Sequence, residues 1–154
     1  MSQIPDVQLG GLYGDLILEH YRNPHNRHPV AGPDLEAQEF NPFCGDRVGL
    51  KLKLDQQSRV SEINADSEGC SIIQASTSML SDLLKGKTLE EIAGLAAAFR
   101  SMMAGKDIPP ESMTELGELD ALQVVRRYPV RIKCALLPWT ALEEAMQEYW
   151  SRVG

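Results

Sequence analysis

Three cysteines and one aspartate are the residues whose types and placing could do chemistry. Cys44 and Asp46 stand together in Asn41-Pro42-Phe43-Cys44-Gly45-Asp46, Cys70 in Glu68-Gly69-Cys70-Ser71, and Cys134 in Arg131-Ile132-Lys133-Cys134-Ala135. Thiolates suit a borderline-soft divalent ion such as zinc, one carboxylate is tolerated beside them, and four donors complete a tetrahedral site. Gly45 lies between Cys44 and Asp46, so both side chains can turn toward one point. Cys70 and Cys134 each stand where a loop gives way to a helix, and the free amides there favour a thiolate. Arg131 and Lys133 add positive charge near Cys134, which suits a nucleophilic thiol, and Arg131 could also touch a partner. No Cys-x-x-Cys pair is present. Spacing alone therefore leaves a second reading open, in which Gly45 serves a tight turn, Asp46 caps it and the cysteines are small buried hydrophobes.

The bulk composition narrows the setting. A chain of 154 residues with 43% hydrophobic and 24% charged residues is expected to fold as one domain over 1–154, with a core large enough to need no staples. A net charge of -7 argues against a nucleic-acid binder, which needs a basic face. No apolar run approaches the roughly 18 residues of a membrane span, and the N-terminus shows no export signal, so the expected location is cytoplasmic. There, scattered and odd-numbered cysteines point to metal binding or catalysis ahead of disulfides.

The elements that must position these residues can be read in order. Residues 1–8 are read as frayed. A helix is expected from about Leu9 to Tyr21, with Tyr13, Leu16, Ile17, His20 and Tyr21 on one apolar stripe, ended by Asn23-Pro24. His20, His25 and His28 are read as a packed residue and two loop residues, because none has a second ligand type at useful spacing. The stretch 24–41 reads as loop with a short strand near Glu39-Phe40. Val48, Leu50, Leu52 and Leu54 alternate with polar residues, and a second strand over about 59–66 completes a hairpin. A helix is expected from Ser71 to the stop signal Lys85-Gly86, and Thr88 with Glu91 forms a capping box for the next. Ile108-Pro109-Pro110 reads as linker, and Leu116 to Arg126 as a short helix. A last helix carries Cys134, meets Pro138 and continues along Leu142, Ala145, Met146, Tyr149, Trp150 and Val153. The fold class is α+β, a small antiparallel β-sheet packed against a layer of helices.

Read together, the motifs resemble the U-type proteins of iron–sulfur cluster assembly, in particular their SufU branch. The matching stretches are Leu12-Tyr13 through His20-Tyr21-Arg22-Asn23-Pro24, Asn41 to Asp46, Gly69-Cys70-Ser71-Ile72 with Ala75-Ser76, Leu116-Gly117 through Ala121-Leu122, and Pro129 to Leu136 with Trp139 and Ala141-Leu142. The resemblance implies a SufE/NifU-like fold. It also implies zinc held by Cys44, Asp46, Cys70 and Cys134, with Cys134 as the thiol that receives sulfur. The related IscU scaffold branch has a histidine where this chain has Lys133, and Leu-Pro-Pro-Val-Lys where this chain reads Arg127 to Arg131. It also lacks the stretch from about Thr88 to Ser112.

The function implied is that of a zinc-dependent sulfur acceptor. It would take persulfide sulfur from a SufS-type cysteine desulfurase and pass it to the Suf cluster-assembly complex, with Arg131 and Lys133 as partner contacts. The alternative is a scaffold on which the same donors hold a transient iron–sulfur cluster. A third reading is a structural zinc module that only binds partners.

Overall fold

The computed structural model describes residues 11–41 and 45–153, with side chains from residue 14 onward. Residues 1–8, the expected helix start at Leu9, the side chain of Tyr13, and Pro42, Phe43 and Cys44 lie outside the described residues.

Nine described elements follow one another. They are α1 (Gly11–Arg22), β1 (Leu35–Asn41), β2 (Asp46–Leu54), β3 (Val60–Glu68), α2 (Ser71–Leu84), α3 (Leu89–Met103), α4 (Pro110–Leu116), a 3₁₀ segment (Gly117–Arg127) and α5 (Pro129–Val153). The strands form an antiparallel sheet in the order β1-β2-β3. Helix α5 lies along β1 and β2, α2 packs on β3 and against α5, and α1 packs on α2. One sheet face thus meets helices, and the core sits between the layers.

The period-two pattern of β2 sets the geometry of everything downstream. Val48, Leu50 and Leu52 are buried toward the helices, and by the same parity Asp46, at the head of the strand, also turns inward. Register fixes its neighbours. Asn41 pairs with Asp46 across β1 and β2, and Arg47 pairs with Glu68 across β2 and β3. The start of β2 is therefore held next to the Gly69-Cys70 junction where β3 runs into α2. A slip of one residue would send Asp46 to solvent.

The helices obey the expected signals. The α2 helix ends at Leu84, with Lys85 extended and Gly86 at φ +78°. The capping box of α3 is complete: the Glu91 N–H donates to Thr88 Oγ1 at 3.2 Å, and the Thr88 N–H donates to Glu91 Oε1 at 2.9 Å. The α3 residues Met102 and Met103 are both buried in the core. Inside it, Phe99 stacks on Trp139 with ring centroids 5.2 Å apart. The Ser76 hydroxyl donates to the Ala135 carbonyl at 2.7 Å and pins α2 to α5 one residue beyond Cys134. Pro138 lies inside α5 and has no N–H to offer the carbonyl of Cys134, four residues earlier.

Four expectations are corrected. The stretch 24–41 contains a seven-residue strand, β1, rather than a short one near Glu39-Phe40. It is polar because it is a sheet edge whose outward residues, Glu36, Gln38 and Phe40, face solvent. Pro110 opens α4 instead of prolonging a linker, since a proline suits the first helical position. The segment after Leu116 winds as 3₁₀ rather than α-helix. Two apolar stripes also run out early: Tyr21, Trp150 and Val153 are exposed. Among the described residues, no helix is long and apolar enough to cross a membrane.

Candidate metal centre

Three elements bring the expected donors together. Asp46 heads β2, Cys70 is the N-cap residue of α2, and Cys134 sits in the second turn of α5. One donor atom each from Asp46, Cys70 and Cys134 lie within 4.8 Å of one another. The residues are far apart in the chain and meet only through the register of the sheet and the packing of α5. Cys44, the fourth expected donor, lies outside the described residues, two peptide units from Asp46. Among the described residues beside it, the Gly45 N–H donates to the Asn41 carbonyl at 2.9 Å, with Gly45 at φ +69°.

The contacts within the cluster assign protons. Cys134 is fully buried, and its thiol donates to Asp46 Oδ2 at 3.0 Å. The other carboxylate oxygen, Oδ1, accepts the Cys70 backbone N–H at 3.3 Å. Asp46 itself is 1% exposed, so this carboxylate stays in the interior only with such donors, or an ion, around it. The Cys70 thiol is lowered from 9.0 to about 6, first by the hydrogen bond from Cys134 and further by the Ile73 amide and the Arg131 charge, against burial and Asp46. Cys134 moves the other way, pushed far above the ordinary thiol range by its bond to Cys70, by burial and by its bond to Asp46. These contacts favour charge on Cys70 and a proton on Cys134.

That outcome corrects the expectation that both helix-start cysteines favour the thiolate. Cys70 caps its helix and gains from the free amides. Cys134 stands beyond the first turn of α5, its sulfur 3.7 Å from the Val130 carbonyl, and next to an anion. A divalent ion fits here on the chemistry of the donors alone. It would replace the Cys134 proton and offset the buried negative charge of Asp46 and Cys70 together.

Arg131 and Lys133 part company. Arg131 is 7% exposed with its guanidinium toward the sulfurs. Burial works against its charge, but the Cys70 charge and hydrogen bonds with Cys134 and Cys70 outweigh it and push its pKa up. Lys133 is exposed and lines a shallow groove of about 320 Å³ with Phe40, Leu136 and Leu137. Of the two cations offered as partner contacts, Lys133 is the one open to a docking protein.

Gly69 is part of the centre, and sequence reasoning assigns it no role. Its φ is +136°, and a Cβ added there would sit 2.0 Å from Asp46 Oδ1. Only glycine lets the β3–α2 junction close over the carboxylate. The signal available in the sequence is its position directly before Cys70.

Two outcomes are expected. Gly69→Ala should cost on the order of 2–4 kcal/mol in chemical denaturation, from backbone strain plus overpacking, and should weaken zinc binding. Retention of both stability and zinc affinity would contradict this picture of the centre. In the metal-free protein, thiolate absorbance should show a step near pH 6 that Cys70→Ser removes, with no step from Cys134 up to about pH 9. Since the folded Cys70 value lies below its unfolded one, its contribution to stability is fully present above about pH 9 and is lost as pH falls through about 6.

Comparison with known proteins agrees with the geometry. The zinc-dependent sulfurtransferase SufU of Bacillus subtilis is 40% identical over 141 residues, covering 92% of this chain and 93% of its own. The iron–sulfur cluster assembly scaffold protein IscU of Streptococcus pyogenes is 37% identical, covering 91% and 86%. A crystal structure of an iron–sulfur cluster assembly scaffold protein for the SUF system from Fervidobacterium islandicum superposes with a TM-score of 0.78 at 29% identity, over 85% of this chain and 93% of that one. A NifU-like protein from Brucella abortus, at 23% identity and a TM-score of 0.80, shares the fold over 92% and 96% of the two chains. The NifU-like N terminal domain matches residues 12–154, and the chain belongs to that family.

Proposed function

We propose that this protein serves iron–sulfur cluster assembly as a zinc-dependent sulfur acceptor. Cys134 takes the outer sulfur of a persulfide carried by a SufS-type cysteine desulfurase and passes it to the Suf cluster-assembly complex. The observation that carries this reading is the convergence of Asp46, Cys70 and Cys134 within 4.8 Å, with a proton on Cys134 that a metal would displace. Cys44 is the fourth donor in this reading, and the B. subtilis relative supplies the precedent for zinc. When bound, the ion supplies the positive charge that makes Cys134 a thiolate at neutral pH and shields it from oxidation.

The chain's own residues do the rest. Arg131 is a second, fixed cation beside both sulfurs and favours charge on them. The Cys134 thiolate attacks the outer sulfur of the partner's persulfide. A sulfur–sulfur bond forms on Cys134, the partner's sulfur–sulfur bond breaks, and the electron pair leaves on the partner's cysteine thiolate. The exchange is redox-neutral. Because Cys134 is fully buried, the partner must open the centre as it docks. The groove bearing Lys133 and exposed Phe40 lies beside α5, where such docking would reach Cys134.

A scaffold role has its own support, since the S. pyogenes relative carries that name and thiolates hold iron–sulfur clusters as readily as zinc. Lys133 stands where the scaffold branch has a histidine, which favours the acceptor.

Sulfide release from free cysteine by the desulfurase, with and without this protein, separates the readings. The acceptor role predicts stimulation that falls to the desulfurase-alone background in Cys134→Ser, with the variant folded by circular dichroism. Stimulation by Cys134→Ser equal to the parent would overturn it. No stimulation, with a visible chromophore after anaerobic reconstitution that transfers to an apo-ferredoxin, would make the protein a scaffold. Unfolding of Cys134→Ser would point to a purely structural zinc.

A further inference from the structure

A second cluster of ligand-type residues lies far from the thiols, and nothing in the sulfur chemistry uses it. His20, on the last turn of α1, is 1% exposed. Its Nδ1 lies 2.7 Å from the Ser78 hydroxyl and its Nε2 lies 3.4 Å from Glu118 Oε1. His25, just past the helix, has its Nδ1 2.5 Å from Asp82 Oδ2 and its Nε2 3.7 Å from Glu19 Oε2. The two imidazoles face each other at 4.5 Å between centroids, tilted by 43°. Glu19, His20 and His25 each offer a donor atom within 4.8 Å of the others, and so do His20, Asp82 and Glu118. Sequence spacing gives these histidines no second ligand type. The fold supplies three carboxylates, from α1, α2 and the 3₁₀ segment.

Each ring has an oxygen partner on Nδ1. Ser78 Oγ already accepts the His25 backbone N–H at 2.9 Å, and its second lone pair can accept a proton carried on His20 Nδ1. Asp82 accepts the proton on His25 Nδ1 in the same manner, and Asn26 holds Asp82 in place by donating to Oδ1 at 2.8 Å. Each Nε2 in turn lies beside a carboxylate, His20 Nε2 at 3.4 Å from Glu118 Oε1 and His25 Nε2 at 3.7 Å from Glu19 Oε2. A cation that took the place of the ring protons would be held by two imidazoles and the carboxylates that converge on them. Oxygen acceptors behind the ligating imidazoles are the usual support of metal-binding histidines.

We propose that His20, His25 and Glu19, with Glu118 beside them, form a second site for a divalent transition cation of the zinc class. Ser78 and Asp82 orient the two imidazoles. Mixed imidazole and carboxylate donors suit zinc and its neighbours better than magnesium or calcium. Cys70 caps one end of α2 and Asp82 sits near the other, about 18 Å away at 1.5 Å per residue, so this site and the thiol centre are separate. Glu19, His25, Asp82 and Glu118 are each between one third and about one half exposed, so the ion would exchange with solvent. When bound, it would clamp α1 and the chain after it to the 3₁₀ segment.

The test is calorimetric titration of the intact protein with zinc after one equivalent has been loaded, with ¹⁵N signals of the histidine rings followed in parallel. A second equivalent is expected with micromolar affinity, shifting the ring nitrogens of His20 and His25 and raising Tm. His25→Ala and Glu19→Gln should each weaken that equivalent by about tenfold or more while keeping the first. Saturation at one equivalent with unmoved ring signals would overturn the proposal, and so would a second equivalent that survives both substitutions. The ring signals keep the outcome independent of the sulfur reading. If the thiols took no zinc, the histidine-dependent equivalent would simply be the first to bind.

Discussion

The structure depends on a buried carboxylate meeting a buried thiol. Asp46 Oδ2 and Cys134 Sγ stand 3.0 Å apart, from the first strand position of β2 and the second turn of the last helix. A carboxylate does not belong in a dry interior without donors or an ion around it, and the Cys134 thiol is one such donor. The parity that buries Val48, Leu50 and Leu52 drives Asp46 inward, and the bond from Ser76 to the Ala135 carbonyl holds α5 where Cys134 must face it. The cluster is assembled by the core, and the core is closed around it.

That constraint also explains an asymmetry between two like residues. Cys70 at its N-cap is poised as a thiolate, whereas Cys134 is left holding the proton that the cluster as a whole can least do without. A thiol kept protonated in the absence of metal is a weak nucleophile, and the same thiol with its proton displaced is a strong one. In the proposed function, metal loading would carry Cys134 from the first state to the second, and Arg131 favours the charged form.

Much of this was legible in the chain. Alternation located β2, cap residues located α2 and α3, and Asp46, Cys70 and Cys134 were named among the donors expected to meet. What escaped had physical reasons. The β1 strand is polar because it is an edge, so its pattern lacks the apolar alternation that marked β2. The protonation of Cys134 depends on a neighbour 88 positions away in sequence, which no local helix-start rule can see. Gly69 carried no signal beyond its place before Cys70, and the carboxylate occupies the space where its Cβ would be. Two of the three carboxylates around the histidines also escaped, because Asp82 and Glu118 arrive from α2 and the 3₁₀ segment, more than 50 positions away.

The central claim is that the thiols and Asp46 share one ion, and X-ray absorption at the zinc edge tests it most directly. With one equivalent bound, the account predicts three sulfur neighbours at about 2.3 Å and one oxygen at about 2.0 Å. Loss of one sulfur should follow each of Cys44→Ser, Cys70→Ser and Cys134→Ser. A first shell of nitrogen and oxygen only, unchanged by those substitutions, would contradict it.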